Sequence, residues 1–201
     1  MRLESPMRKV LNPLKPVLSF LACERASQIA EFAVSVPLLV VFVVGIFDFS
    51  GAFNLKQKLA GAAQEGALSA GSQTLSDLDQ SNPASVRAVV GVVFNYLTNA
   101  KVLANANMGS CKVAGASPSS HTPSSLIWQY TISNCPDSLV VTVDRGKVFD
   151  ATGGLKVVGS RVVVTYPYRW RFNSVIQLLI PTATYSAITQ VTTDSVAPNQ
   201  I

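Results

Sequence analysis

Charged residues and histidine are scarce in this 201-residue sequence, and each scarcity excludes a class of protein. Only 13% of the residues are charged, and the mean hydropathy is +0.33, whereas soluble domains carry about 25% charged residues. Disordered chains are rich in charge and poor in apolar residues, so disorder is excluded. The one histidine, His121, makes histidine metal sites and Ser-His or Cys-His catalysis improbable. The composition therefore indicates a membrane-tethered or exported protein without catalytic residues, cofactor or metal.

One apolar run is long enough to cross a bilayer, and its uniqueness excludes a polytopic membrane protein. Residues 32–47 (FAVSVPLLVVFVVGIF) carry no charge and are flanked by Glu31 and Asp48. The two acids are separated by about 25 Å along a helix, so they would lie near opposite membrane surfaces. We predict a transmembrane helix over residues 27–55, with a buried core helix as the alternative.

The flanks of this run predict its orientation. Residues 1–25 carry a net charge of +3 out of the chain's +5, and basic flanks stay in the cytoplasm. We therefore expect residues 1–26 to be a basic cytoplasmic leader and residues after 55 to lie outside. This charge explains the pI of 9.3 without nucleic acid as a partner. A lipoprotein signal before Cys23 is too short, and signal cleavage after Ala52 requires an unusually long basic region.

The helical pattern continues beyond the membrane run. Apolar and small residues recur in steps of three and four from Gly45 to Ala70, which predicts one helix from near Ser27 to near Ala70. Residues 56–74 form its amphipathic extension. The small residues permit close packing, and packing against the protein's own domain is favoured over packing between subunits.

Residues 75–201 are predicted to form an exported α+β domain in which helices pack on an antiparallel sheet. A valine stripe predicts a helix over residues 86–97, capped by Ser81 or Asn82. His121 is expected to be exposed in a loop over residues 104–124. Further segments predict strands at 126–133, 138–143, 160–172 and 182–193, turns at 144–146 and 153–154, and a short helix at 175–180.

Aromatic and basic residues alternate at the end of the third predicted strand. Period two places Arg169 and Arg171 on one face and four aromatic residues on the other: Tyr166, Tyr168, Trp170 and Phe172. A core face opposite a solvated face is favoured. Base stacking and contact of Trp170 and the two arginines with membrane headgroups are the alternatives.

The cysteines are consistent with the predicted compartments. Cys111 and Cys135 both follow the membrane run, so we expect a disulfide between them in an oxidising compartment. The chain-entropy model assigns such a bond about 3.5 kcal/mol. Cys23 would lie in the cytoplasm and stay reduced.

The helix region resembles the TadE/TadG-like family of bitopic proteins from the tight-adherence (Flp) pilus system. The resemblance is carried, in order and spacing, by residues 30–33 (AEFA), 37–39 (PLL), 45–49 (GIFDF) and 62–67 (AAQEGA), and more loosely by 162–168 (VVVTYPY). It implies a non-catalytic, pseudopilin-like or assembly component. The implied partners are the membrane, pilus or secretion-system proteins and a related pseudopilin. A membrane-anchored binding domain that never joins a pilus is the alternative.

The resemblance also implies roles for residues at both ends of the membrane run. Family members with a prepilin-type leader are cut so that a glutamate becomes the fifth mature residue. With Glu31 in that place, a prepilin-type peptidase would cut between Ala26 and Ser27. Glu31 would then compensate the N-terminal amine of a neighbouring subunit, or it only marks the membrane surface. Asp48 either pairs with Lys56 of a neighbour in helix assembly or, as favoured, is an exposed interface acid.

Overall fold

The computed structural model describes two compact units, one ending at Ile46 and the other comprising residues 47–201. The described residues are 24–103, 111–113, 116–133, 135, 137–150, 153–179, 182 and 188–200. Most of the predicted leader, with Cys23, lies outside them. The predicted domain boundaries at residues 26, 55 and 74 stay predictions.

A single helix, α1 (Glu24–Ser72), contains the apolar run. Residues 28–40 are exposed throughout, and the helix over Gln28–Ser72 is long and apolar enough to cross a membrane. Pro37 lies inside α1, as transmembrane helices tolerate. The prediction of one continuous helix is confirmed.

Five antiparallel strands form one sheet in which chain order equals spatial order. The strands are β1 (Ser120–Thr122), β2 (Ile127–Ile132), β3 (Leu139–Asp150), β4 (Lys156–Arg169) and β5 (Ile188–Pro198). A 3₁₀ turn, Pro123–Ser125, joins β1 to β2, and two further helices are α2 (Ala84–Asn99) and α3 (Phe172–Leu179). The α+β prediction is confirmed.

The core of the second unit lies between the sheet, α2 and the C-terminal part of α1. Helix α2 contributes Val86, Val89, Val90, Val93 and Leu97, as its valine stripe predicts. Helix α1 contributes Leu59 and small residues, namely Ala62, Ala63, Ala67 and Ala70, and the sheet contributes Trp128, Tyr130, Val141, Val162 and Val164. The prediction that this face of α1 packs within its own domain is confirmed.

Gly66 marks the closest approach of α1 to its neighbours. A Cβ atom placed there would lie 2.6 Å from a methyl group of Val93 in α2 and 3.1 Å from one of Val162 in β4. Helix α1 therefore fits between α2 and the sheet only because this position carries no side chain.

Two of the predicted strand and turn positions are wrong. Residues 144–146 are not a turn but part of β3, where the register with β4 shifts between Asp144 and Lys147, as in a β-bulge. The last strand is displaced towards the C-terminus because β5 pairs along β4 from Ile188 opposite Arg169 to Pro198 opposite Gly159. The turn at Gly153 and Gly154, both with positive φ, is confirmed.

His121 also differs from its prediction as an exposed loop residue. It lies half-buried in β1, and its ring stacks on that of Trp128 with 4.9 Å between centroids. The indole ring of Trp128 on the neighbouring strand β2 is a flat apolar surface for this imidazole. The polar composition of the predicted loop gave no indication of this contact.

The predicted disulfide between Cys111 and Cys135 is present, with the two Cα atoms 4.6 Å apart. It joins the segment after α2 to the chain that follows β2.

Gly66→Ala should destabilise the protein by about 1–3 kcal/mol, because the added methyl group overpacks the space between Val93 and Val162. Denaturant unfolding of the full chain in detergent measures this. Gly91→Ala in α2 is the matched control, since nothing lies within 4 Å of its added Cβ. There the helix gains about 0.5–1 kcal/mol. Equal effects at both positions would contradict the tight fit.

Candidate functional site

A buried carboxylate joins α1 to the segment that follows β4. Asp48 is only 5% exposed. The Tyr168 hydroxyl group donates to its Oδ1 atom at 3.1 Å, and the backbone N–H of Phe172 donates to its Oδ2 atom at 2.6 Å. Both oxygens of one side chain thus hold residues 168–172 against α1.

Asp48 also stabilises the N-terminus of α3. Phe172 is the first residue of α3, so the carboxylate accepts one of the N–H groups that a helix leaves unpaired at its start. A negative charge at this end is further stabilised by the helix dipole. The favoured prediction of an exposed Asp48 is therefore wrong, because residues 168–172 return to α1 from more than 100 positions away. The role of Asp48 in assembly between chains stays a prediction.

Tyr168 is kept in its donor form at this contact. Burial raises the pKa of its hydroxyl group, and the hydrogen bond to Asp48 and the charge of that carboxylate raise it further. Gly51 leaves room for the ring, since a Cβ atom at that position would lie 2.6 Å from the tyrosine oxygen.

Aromatic rings surround this contact. The Trp170 ring lies 5.4 Å from that of Phe49 and 5.0 Å from that of Tyr168, and its Nε1 atom donates to Thr189 at 2.8 Å. The predicted core face is only partly correct, since Tyr166 is buried and the three following aromatic residues are half-buried. On the opposite face, the Arg169 side chain pairs with Asp137.

A buried arginine lies beside the C-terminal end of α1. Arg145 in the β3 bulge is 1% exposed, and its Nη2 atom donates to the carbonyl groups of Gln73 at 2.9 Å and Thr74 at 3.4 Å. These groups follow directly after α1, where a cation is favourable. Burial lowers the pKa of Arg145, and the charge of Asp77 opposes that shift. The backbone N–H of Gln200 also donates to Gly71 in α1 at 2.8 Å.

Asp77 caps the N-terminus of α2. Its carboxylate accepts from the backbone N–H of Ser85 at 2.9 Å and from the Ser85 hydroxyl group at 2.6 Å. Burial would raise the pKa of Asp77, but these hydrogen bonds outweigh it, so that the pKa lies below its ordinary value.

The predicted caps of α2, Ser81 and Asn82, are wrong, because Pro83 takes the N-cap position and Asp77 supplies the acceptor. Asn82 instead accepts from the Tyr130 hydroxyl group at 2.8 Å. Burial raises the pKa of Tyr130 to about 12.

The contacts of Asp48, Asp77 and Arg145 share one chemistry: a charged side chain from outside a helix satisfies backbone groups at the end of a helix. Such pairs hold elements together and place no nucleophile next to a base. Within the described part of the chain, no group of three or more His, Cys, Asp or Glu residues is arranged to hold a metal ion.

The remaining predicted residues lie in the first unit. Ala26 and Ser27, the predicted cleavage position, are near the beginning of α1, and Glu31 is exposed on the same helix. The structure does not test cleavage or the pairing of Glu31 with another subunit.

Comparison with known proteins identifies the helix region. Residues 26–68 match the family model described as TadE-like protein, which confirms the TadE/TadG-like resemblance over the helix that carries Glu31, Asp48 and Gly66. No curated protein and no solved structure matches the chain. The sheet lies outside the matched residues.

The Asp48–Tyr168 contact should appear as energetic coupling. Combining Asp48→Ala with Tyr168→Phe should cost about 0.5–3 kcal/mol less than the sum of the single changes, because each change removes the hydrogen bond between the two side chains. The Tyr168 hydroxyl group also donates to the backbone carbonyl group of Asp48 at 3.0 Å, and Asp48→Ala keeps this second acceptor. Thermal unfolding of the full chain in detergent measures it. Tyr96→Phe, which removes a hydroxyl group on α2, is the control partner. Additive costs with both tyrosines would refute the contact.

Asp77→Ala should destabilise the protein by about 1 kcal/mol at neutral pH through loss of the α2 cap. Because the folded-state pKa is lowered, the cap is fully stabilising above the ordinary aspartate pKa of about 3.9. It is lost as the pH falls through the lower folded pKa. The difference in unfolding midpoint between wild type and variant should therefore shrink in strong acid. Asp79→Ala, an exposed neighbour, should change stability little at either pH.

Proposed function

We propose that this chain, whose residues 26–68 are TadE-like, is a single-pass inner-membrane protein that takes part in tight-adherence pilus assembly without catalysis. One observation carries the proposal. The matched segment is a single helix that is uncharged and exposed over residues 32–40 and supplies core residues of the folded unit from Leu59 onwards.

The mechanism follows from this double use of α1. Its apolar part provides a surface that contacts the membrane and other helices. Association between helices in a membrane depends on how closely they pack. Its C-terminal part cannot leave the domain without opening the core. A partner that holds the apolar part of α1 therefore also holds the domain, as expected of a pseudopilin-like or assembly component.

The proposed topology places residues 1–26 in the cytoplasm and the sheet outside. The basic leader supports this orientation, and so does the Cys111–Cys135 disulfide, since disulfides persist in oxidising compartments. In the processed form, a prepilin-type peptidase cuts between Ala26 and Ser27, and Glu31 compensates the new N-terminal amine.

Thiol labelling tests the topology with the chain's own cysteines. Cys23 is the only cysteine outside the disulfide. In an unprocessed chain, a membrane-impermeant maleimide should leave spheroplasts unlabelled and add one label per chain after lysis. Cys23→Ser is the control that should abolish this label. Labelling of intact spheroplasts at Cys23 would contradict the orientation, and labelling of Cys111 or Cys135 would contradict the disulfide.

Affinity purification of the tagged full chain after in-cell cross-linking tests the function. Tight-adherence pilus components, including a related pseudopilin, should copurify. A matched chain in which a leucine–alanine span replaces residues 28–46 keeps the anchor and should lose these partners. Mass spectrometry of the same sample reads the mature N-terminus, where Ser27 supports processing and Met1 excludes it. Capture of envelope ligands without pilus proteins would favour the membrane-anchored binding domain.

A further inference from the structure

An aromatic patch lies on the second unit immediately after the apolar part of α1. We define it by Phe49 and Phe53 on α1 and Trp170 after β4. Phe49 is 70% exposed and Phe53 62%. Residues four apart lie on one side of a helix, so the two phenylalanines face the same direction, and Phe49 contacts Trp170 directly. Large apolar side chains that remain together in contact with solvent mark an interaction surface.

The patch is rigid rather than formed by loose side chains. Asp48, next to Phe49, holds both Tyr168 and the N-terminus of α3. Trp170 follows Tyr168 by two positions and makes an edge contact with its ring. Trp170 is thus positioned by its contacts with Phe49, Tyr168 and Thr189.

The place of the patch along α1 determines its occupant. Phe49 directly follows Asp48, the acid that ends the uncharged run of residues 32–47, and Phe53 lies about 6 Å further along the helix. A headgroup layer is about 5–7 Å thick. When the apolar part of α1 spans the membrane, the patch begins where hydrocarbon gives way to headgroups.

The chemistry of the patch fits that layer. Tryptophan is enriched at membrane surfaces because one side of the ring is apolar. The Nε1 atom of Trp170 already donates to Thr189, so contact with lipid leaves no unpaired donor. Arg171 is exposed beside it, whereas the adjacent Arg169 is engaged by Asp137. Helix α3, which starts at Phe172, carries no charged residue (FNSVIQLL).

We infer that the aromatic patch, with Arg171 at its rim, binds the outer headgroup layer of the membrane that α1 spans, with a preference for anionic lipid. This rests on the proposed membrane anchor. The domain is then held against the bilayer by two contacts, α1 and the patch.

Fluorescence quenching in lipid vesicles tests this on the full chain. The two tryptophans are Trp170 and Trp128, and the second is fully buried in the core. Lipids that carry a quencher near the headgroup should quench Trp170, and Trp170→Phe should remove that quenching. Arg171→Glu should reduce it at least about twofold in vesicles with phosphatidylglycerol, since each basic residue near an anionic surface contributes to attraction. Arg87→Glu, an exposed arginine on α2, should leave it unchanged.

Flotation of the same vesicles distinguishes failure of this inference from failure of the proposed membrane anchor. A chain that floats with the vesicles but shows no quenching of Trp170 overturns the inference and leaves the anchor intact. Failure to float overturns the anchor and the inference together. Equal effects of Arg171→Glu and Arg87→Glu refute the specific role of the patch. Quenching that appears only after dilution of the protein in lipid shows that a second copy, and not lipid, covers the patch, and overturns the inference.

Discussion

The close approach of α1 to α2 and β4 is the constraint on which the rest of the second unit depends. At Gly66 even a methyl group would meet side chains of both neighbours. Packing at this distance requires small residues on α1 and compact, branched residues opposite, and the valines of α2 and β4 meet that requirement. The same helix is uncharged and exposed over residues 32–40, so one continuous segment is long and apolar enough to cross a membrane and then packs into a protein core.

Three charged residues lie at helix ends, where they form hydrogen bonds with backbone groups that the helices leave unpaired. Asp48 serves the start of α3, Asp77 the start of α2, and Arg145 the end of α1. Each position combines the helix dipole with unpaired backbone groups, and there a charge is more stabilising than on an open surface. The contacts of Asp48 and Arg145 also connect α1 and the residues just after it to parts of the chain more than 70 positions away.

Local periodicity made much of this architecture predictable, whereas contacts distant in sequence were not. The repeat along α1, the valine stripe of α2 and the strand composition of β2 and β4 depend on neighbours within a few positions, so they predicted these elements. The predicted end of β4 was wrong, because β4 ends at Arg169 and Phe172 begins α3. The partners of Asp48, Asp77 and Arg145 lie on other elements, and residue spacing carries no signal for them. Asp144-Arg145-Gly146 has the composition of a turn, yet β4 pairing extends β3 through it as a bulge.

In the proposed topology, the shared use of α1 determines where a protease can release the domain. A cut between residues 59 and 72 would remove part of the core with the anchor, because Leu59, Ala63 and Ala70 are buried members of that helix. Removal of residues up to Ala52 would already detach Asp48 from Tyr168 and α3. Release of an intact domain therefore requires a cut before Phe47, within the predicted membrane span. In that topology the domain stays attached to the membrane for as long as it is folded.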